Sequence, residues 1–128
     1  MFEVSVEASF SAAHRLRDYE GACERLHGHN YKVRVAARGP KLGPAGMLLD
    51  FKVLKREVAS VMDELDHHCL NEDVDDFGEG KLNPTAENIA MWLGRKLAER
   101  LGEGVSLASV TVWESDTSAA TFVPDRDE

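Results

Sequence analysis

Residues 23–31 read Cys-Glu-Arg-Leu-His-Gly-His-Asn-Tyr, and the fold and chemistry of the chain can be worked out from this stretch. His27 and His29 are separated by one residue, Gly28. The sequence that follows, residues 32–36, has the composition of a strand. On a strand, side chains at i and i+2 point to the same face. The stretch therefore predicts two imidazoles that converge on one point, with Gly28 between them allowing close approach of backbone or ligand.

A second strand is predicted near the N-terminus, because residues 2–11 alternate between apolar and polar side chains. If this strand continues, His14 lies on its inward face. Residues 30–38 alternate in the same way, and His29 is in phase with their inward side chains. We expect the two strands to pair like a hairpin, which brings His14 towards the histidines of residues 23–31.

Three histidines on neighbouring strands suit one zinc ion, and His14, His27 and His29 are the predicted ligands. A catalytic zinc site commonly has three protein ligands and an open fourth position for water or a substrate oxygen. Two alternatives remain open. The histidines are packed or exposed without a metal, or Cys23 completes a structural site of one cysteine and three histidines.

The bulk composition indicates one globular domain, which we place at residues 1–124, with a charged C-terminal tail at 125–128. The chain has 128 residues, of which 43% are hydrophobic and 30% charged. It contains no apolar run long enough to span a membrane and no secretory signal. Two distant cysteines fit free thiols in a reducing cytoplasm. A net charge of -8 argues against nucleic acid but not against a phosphorylated small molecule.

Two amphipathic helices are predicted in the middle of the chain. The first runs from Phe51 to about Leu65 and has Asp50 as its N-cap. The second opens at Pro84 with Thr85 as its N-cap and ends at Gly102. The acidic residues between the two helices, 71–83, are expected to form a loop.

Two further strands, at residues 105–114 and 119–123, complete the order β-β-α-α-β-β. The economical packing is an α+β fold in which a four-stranded antiparallel sheet carries two helices on one face. Such a sheet leaves its other face or its edges to be covered, and oligomerisation is one way to cover them.

Four other residues can contribute chemistry, although each also has a structural interpretation. Cys23 is a base or nucleophile if a cation lowers its pKa, and an inert buried thiol otherwise. Asp66 beside His67 can transfer protons, or both are solvated groups at a helix end. Glu114, at the end of an apolar strand, needs a paired donor such as a guanidine-like edge, unless it lies in water.

Six short motifs follow one another along nearly the whole chain: Phe10-Ser11-Ala12-Ala13-His14, Cys23-x-x-x-His27-Gly28-His29-Asn30-Tyr31, Asp50-Phe51, Leu65-Asp66-His67, Pro84-Thr85-Ala86-Glu87-Asn88 and Trp113-Glu114. Together, and in this order, they resemble the 6-pyruvoyltetrahydropterin synthase / 6-carboxytetrahydropterin synthase family. The resemblance implies the tunnelling fold, in which subunits form trimers that stack into hexamers, with active sites between subunits.

The resemblance also implies a role for each candidate residue. His14, His27 and His29 would hold one zinc ion per subunit, Cys23 would be the catalytic base, Asp66 with His67 would be the second proton-transfer element, Glu114 would anchor the guanidine-like edge of a pterin, and Thr85 would line the same pocket. Asp66 and His67 would act either within one chain or from a neighbouring subunit.

The spacing of Cys23 and His27, with three residues between them, resembles the 6-carboxytetrahydropterin synthases of the 7-deazaguanine (queuosine) route. The implied reaction converts 7,8-dihydroneopterin triphosphate to 6-carboxy-5,6,7,8-tetrahydropterin with release of acetaldehyde and triphosphate. One alternative is a 6-pyruvoyl-type synthase of the biopterin route, which keeps the three-carbon side chain. Another is a zinc-dependent pterin-binding protein without turnover.

Overall fold

The computed structural model describes residues 1–18 and 25–125. Cys23, the predicted base, and residues 126–128 of the predicted tail lie outside the described residues. Within the described ranges, five strands form one sheet: β1 (Phe2–His14), β2 (His27–Gly39), β3 (His68–Cys69), β4 (Ser106–Ser115) and β5 (Ser118–Phe122). The same residues form three helices, namely α1 (Phe51–Met62), α2 (Leu70–Asp73) and α3 (Ala86–Ala98), with a 3-10 turn at Asp75–Phe77.

The hairpin of β1 and β2 is the longest pairing in the sheet. The strands are antiparallel from Phe2 opposite Gly39 to His14 opposite His27. The predicted pairing is therefore confirmed, and β1 extends beyond the alternating residues 2–11 as far as His14. This register places the two ends of the hairpin that carry histidines side by side.

The prediction of four antiparallel strands is corrected by β3. This two-residue strand pairs parallel to β1, with Ala12 opposite His68, and makes β3-β1-β2-β4-β5 the order of a five-stranded sheet. It begins where the backbone N–H of His67 donates to the carbonyl of Ser11 at 2.6 Å. Two residues carry no readable alternation, so only the tertiary contact defines this strand.

Both predicted helix N-caps are confirmed. The carboxylate of Asp50 accepts the N–H of Lys52 at 2.8 Å, and the hydroxyl of Thr85 accepts the N–H of Asn88 at 3.1 Å. The predicted helix ends are too late by a few residues, since α1 ends at Met62 and α3 ends at Ala98.

The segment that was predicted to be a loop, residues 71–83, contains most of α2 and the 3-10 turn. Leu70 and Phe77 are fully buried and join the core. The prediction was wrong because the many acidic residues of this segment suggested a solvated loop, whereas Leu70 and Phe77 pack into the core. Fixing them in the core holds the chain that leads to α3 close to β1.

One face of the sheet carries the core and both long helices. Leu54 of α1 and Leu93 of α3 lie in the same buried cluster as Val35 of β2. The close approach of α3 to the sheet depends on Gly94, where a Cβ would lie 2.6 Å from Cδ2 of Phe122. Within the described part of the chain, no helix has both the length and the apolarity needed to cross a membrane.

Candidate functional site

The three predicted ligand histidines meet at the end of the β1–β2 hairpin where residues 15–26 connect the two strands. His14 is directly opposite His27, and Ala12 is opposite His29. Because side chains alternate along each strand, all three imidazoles lie on the face that also carries the core. Their ligand nitrogens lie within 4.8 Å of one another, and His14 is only 1% exposed.

Two carbonyl oxygens determine where the protons of this cluster lie. Nδ1 of His14 is 2.7 Å from the carbonyl oxygen of Pro84, and Nδ1 of His27 is 2.7 Å from that of Arg25. A carbonyl oxygen can only accept, so each Nδ1 must carry the proton and donate it. Burial lowers the pKa of His14 below its ordinary value of 6.5, so that ring is neutral at pH 7.

The remaining nitrogens form an arrangement that suits a cation. With both Nδ1 atoms protonated, the Nε2 atoms of His14 and His27 point lone pairs at each other across 3.1 Å. Nε2 of His29 is buried and has no hydrogen-bond partner among the described residues. Tetrahedral zinc with Zn–N bonds of about 2.0–2.1 Å holds its ligand nitrogens roughly 3.3 Å apart. The three histidines therefore fit a metal ion.

Tyr31 and Glu114 lie beside this cluster. The hydroxyl of Tyr31, which is fully buried, is 3.1 Å from Nδ1 and 3.3 Å from Nε2 of His14. The ring of Tyr31 stacks on Phe10 at 4.8 Å between centroids. Burial raises the pKa of Tyr31, so its hydroxyl stays protonated.

Glu114 is brought to the site by a β-bulge. The pairing of β4 with β5 steps from Trp113 to Ser115, so Glu114 is the extra residue of β4, and bulges commonly redirect a side chain in this way. Oε1 of Glu114 lies 3.9 Å from Nε2 of His14, and 31% of the side chain is exposed. The carboxylate therefore faces both the histidine cluster and the solvent.

Thr85 lies close to His14 because the preceding residue, Pro84, is hydrogen-bonded to that histidine. The carbonyl of Pro84 accepts from His14, and Thr85 then begins α3 as its N-cap. Its hydroxyl oxygen accepts the N–H of Asn88 at 3.1 Å, which leaves the hydroxyl proton free to donate. The structure thus brings together the three histidines, Glu114 and the Pro84–Thr85 peptide.

Asp66 and His67 are attached to the edge of β1. Oδ1 of Asp66 accepts the backbone N–H of Ser11 at 2.9 Å and lies 3.0 Å from Nδ1 of His67. The hydrogen bond from Ser11 is the main cause that holds the pKa of Asp66 below its ordinary value, and His67 adds to it. His67 has a positive φ of 61° and an exposed side chain, 82% accessible.

In the described part of the chain, the Asp66–His67 pair makes no direct contact with the histidine cluster, but His67 and His29 line one cleft. This cleft has a volume of about 450 Å³, and His67, His29, Ser11 and Asn30 are among its lining residues. The Oγ of Ser11 lies 2.6 Å from Oδ1 of Asn30 on its wall. The pair is therefore at the edge of the sheet, with Nε2 of His67 open to solvent.

His68 and Cys69, to which no role was assigned from the sequence, interact with α2 instead. Nδ1 of His68 is 3.5 Å from Oδ2 of Asp73, and the N–H of Cys69 donates to the same oxygen at 2.9 Å. Cys69 is a free, half-buried thiol. Neither residue joins the histidine cluster.

Sequence reasoning missed three groups that support the site: Ser11, Tyr31 and the carbonyl of Pro84. Tyr31 could have been found, because it is in phase with His29 on β2 and had to share the inward face. The contacts of Ser11 and Pro84 are made by backbone atoms across long stretches of chain, and the sequence contains no signal for them.

Comparisons with known proteins support the family resemblance of the six sequence motifs. A family model described as 6-pyruvoyl tetrahydropterin synthase matches residues 3–125. A 6-carboxy-5,6,7,8-tetrahydropterin synthase from Synechocystis is 40% identical, over 98% of this chain and 96% of its own. A dihydroneopterin monophosphate aldolase from Pyrococcus furiosus is 38% identical, over 85% of this chain and 86% of its own.

The solved structures agree with the sequence relatives. The structure of Caenorhabditis elegans 6-pyruvoyl tetrahydropterin synthase superposes with a TM-score of 0.84 at 33% identity, and each chain covers 98% of the other. This match confirms the predicted α+β tunnelling fold, to which β3 adds a short strand. The chain belongs to the 6-pyruvoyl tetrahydropterin synthase family.

Proposed function

We propose that the protein is a zinc-dependent 6-carboxytetrahydropterin synthase. Its substrates are 7,8-dihydroneopterin triphosphate and one water molecule, and its products are 6-carboxy-5,6,7,8-tetrahydropterin, acetaldehyde and triphosphate. The carbon atoms balance, since one of the three side-chain carbons stays as the carboxyl group and two leave as acetaldehyde. The similarity to the Synechocystis protein of that name supports this choice of reaction.

The observation that carries the proposal is the convergence of three imidazoles beside the carboxylate of Glu114. His14, His27 and His29 would hold the zinc ion. When bound, zinc would supply Lewis-acid chemistry that acidifies a C–H bond of the substrate side chain.

Glu114 would orient the pterin. A 2-amino-4-oxo ring presents two neighbouring N–H donors, and a carboxylate accepts such a pair through both oxygens. Glu114 is partly exposed, and the imidazole 3.9 Å away is that of the neutral His14, so both carboxylate oxygens can accept from the pterin. Thr85 would add a hydroxyl donor to the same pocket.

Asp66 and His67 would move a proton at Nε2 of the imidazole. Asp66 holds the Nδ1 proton of His67 at 3.0 Å, so Nε2 is the atom left to accept or donate. Because His67 is exposed at the edge of the sheet, a second copy of the chain can bring its own cluster to this imidazole. This arrangement supports a homo-oligomer, a trimer or a dimer of trimers, whose active sites lie between subunits.

Cys23 would be the base that removes a proton from the substrate side chain. Its separation from His27 by three residues is the sequence feature that favours the carboxy branch of the family. Two cysteines at distant positions also fit a reducing compartment, so the proposed location is the cytoplasm.

The test is mass spectrometry of the products formed by the zinc-loaded protein. We expect 6-carboxytetrahydropterin and acetaldehyde from 7,8-dihydroneopterin triphosphate. A pyruvoyl product would instead support the second candidate, a 6-pyruvoyltetrahydropterin synthase, which the likeness to the C. elegans structure favours. The monophosphate should be assayed in parallel, because the P. furiosus relative is named for that substrate. Tight zinc-dependent pterin binding with no product would indicate a binding protein.

A further inference from the structure

The carbonyl of Pro84 is the acceptor that keeps the proton of His14 on Nδ1, so its position matters to the whole cluster. It lies 2.7 Å from Nδ1 and is presented by the peptide just before α3. A carbonyl displaced by a small distance would free the proton to move to Nε2, the nitrogen that faces His27. The position of the Pro84 carbonyl must therefore be fixed by its surroundings.

Asn83 holds it from the preceding position. Its side chain clamps the backbone of Arg17, accepting the N–H at 2.8 Å and donating to the carbonyl at 2.9 Å. Its own carbonyl accepts the N–H of Thr85 at 2.8 Å and Nδ2 of Asn88 at 2.9 Å. The peptide of Pro84 is thus fixed on both sides, between the chain that leaves β1 and the first turn of α3.

We propose that Asn83 is a positioning residue for His14, which it holds in the Nδ1-protonated form by fixing the carbonyl of Pro84. This inference rests on the proposed metal centre for its consequence, because a metal needs the unprotonated Nε2. Partners outside the coordination shell that fix a histidine tautomer are commonly worth about 10- to 100-fold in metal affinity.

The chain offers a matched control in Asn71. Its side chain makes the same two hydrogen bonds to the backbone of Arg15, at 2.9 Å and 3.1 Å. It lies on α2, however, and its bonds lead to Arg15 and not to Pro84. Replacing either asparagine by alanine removes one clamp of the same kind from the same segment, and only Asn83→Ala loosens Pro84.

The first readout is the tautomer of His14 in the metal-free protein, from long-range ¹⁵N–¹H NMR spectra of the imidazole. We expect the Nδ1-protonated form in the wild type and in Asn71→Ala, and a mixture of forms in Asn83→Ala. The second readout is zinc affinity from competition with a chelator. We expect a loss of at least about tenfold for Asn83→Ala and less than about twofold for Asn71→Ala.

Three results would overturn the inference: an unchanged His14 tautomer in Asn83→Ala, equal losses of zinc affinity in both variants, or no loss in either. A wild type that shows the Nδ1 tautomer but binds no zinc would refute the metal centre and leave the NMR test of Asn83 intact. If Asn83→Ala does not fold, Asn88→Ala carries the same test. That variant removes one support of the Asn83 carbonyl and keeps the clamp on Arg17.

Discussion

The backbone N–H of Ser11 donates to Oδ1 of Asp66 at 2.9 Å, although the two residues are 55 positions apart. This bond, and the neighbouring one from His67, favour the charged carboxylate and lower the pKa of Asp66 from its ordinary value of 3.8. A carboxyl group with a depressed pKa stabilises the folded state fully above its unfolded pKa, and this contribution is lost as the pH falls through the folded pKa.

Asp66→Asn should therefore lower the free energy of unfolding of the metal-free protein at pH values above about 5. Below the ordinary pKa of 3.8, the difference from the wild type should shrink. Urea unfolding at several pH values measures it. Asp116→Asn, in the exposed turn between β4 and β5, controls for the loss of one negative charge. A difference that grows towards acid pH would contradict the prediction.

Removal of one ligand should nearly abolish metal binding. His29→Ala deletes the buried Nε2 that has no partner among the described residues. We expect zinc affinity to fall by more than about 100-fold, since groups that only orient a ligand are already worth 10- to 100-fold. Chelator competition measures the change. His68→Ala is the control, and an equal effect of both substitutions would argue against the assigned cluster.

Glu114→Gln should weaken recognition of the pterin. The substitution keeps the shape but replaces a carboxylate by an amide, which offers one acceptor oxygen and no charge. Hydrogen bonds to charged groups contribute about 1.5–3 kcal/mol, so kcat/KM should fall roughly 10- to 150-fold. Zinc content measured in the same samples should stay the same. Glu87→Gln, on the exposed face of α3, should leave kcat/KM unchanged.

Cys23→Ala should separate catalysis from metal binding. If Cys23 is the base, turnover should fall by about 10²- to 10⁴-fold, the usual contribution of a general base, while the protein still binds one zinc per chain. Atomic absorption and product assays on one preparation give both values. Loss of zinc would instead make Cys23 a ligand. Cys69→Ala, at the half-buried thiol near Asp73, is expected to remain active.

Gly94→Ala should destabilise the contact of α3 with the sheet. The new Cβ would lie 2.6 Å from Cδ2 of Phe122 and 3.2 Å from Cδ2 of Leu107, so the ring must move. Overpacking of this kind costs about 1–3 kcal/mol. At Gly102 a Cβ meets nothing within 4 Å, so Gly102→Ala should be neutral or stabilising by up to about 1 kcal/mol. Thermal unfolding of the two variants tests the contrast.

The parts of the fold that follow from local pattern were predictable from the sequence. Period-2 alternation placed His14 and His29 on inward faces, and the caps at Asp50 and Thr85 marked where two helices begin. These features depend on neighbours in the chain, so the sequence displays them directly. The convergence of His14 with the other two histidines followed from the same alternation.

The remainder depends on contacts between distant residues. β3 exists because His67 donates to the carbonyl of Ser11, and two residues of strand show no pattern. The clamp of Asn83 on Arg17 likewise joins a side chain to backbone groups 66 residues away. An asparagine before Pro84 reads equally well as an ordinary turn residue, so only the folded chain distinguishes the two.

The pairing of His14 with His27 also bears on how faithfully the hairpin folds. A shift of one residue between β1 and β2 would turn one strand over, so that His27 and His29 faced away from His14. An ion held by all three would bind only the correctly aligned hairpin, and at 1,000 times its dissociation constant it would favour that alignment by about 4 kcal/mol. Zinc would then be a second determinant of strand register, in addition to the buried apolar face of the hairpin.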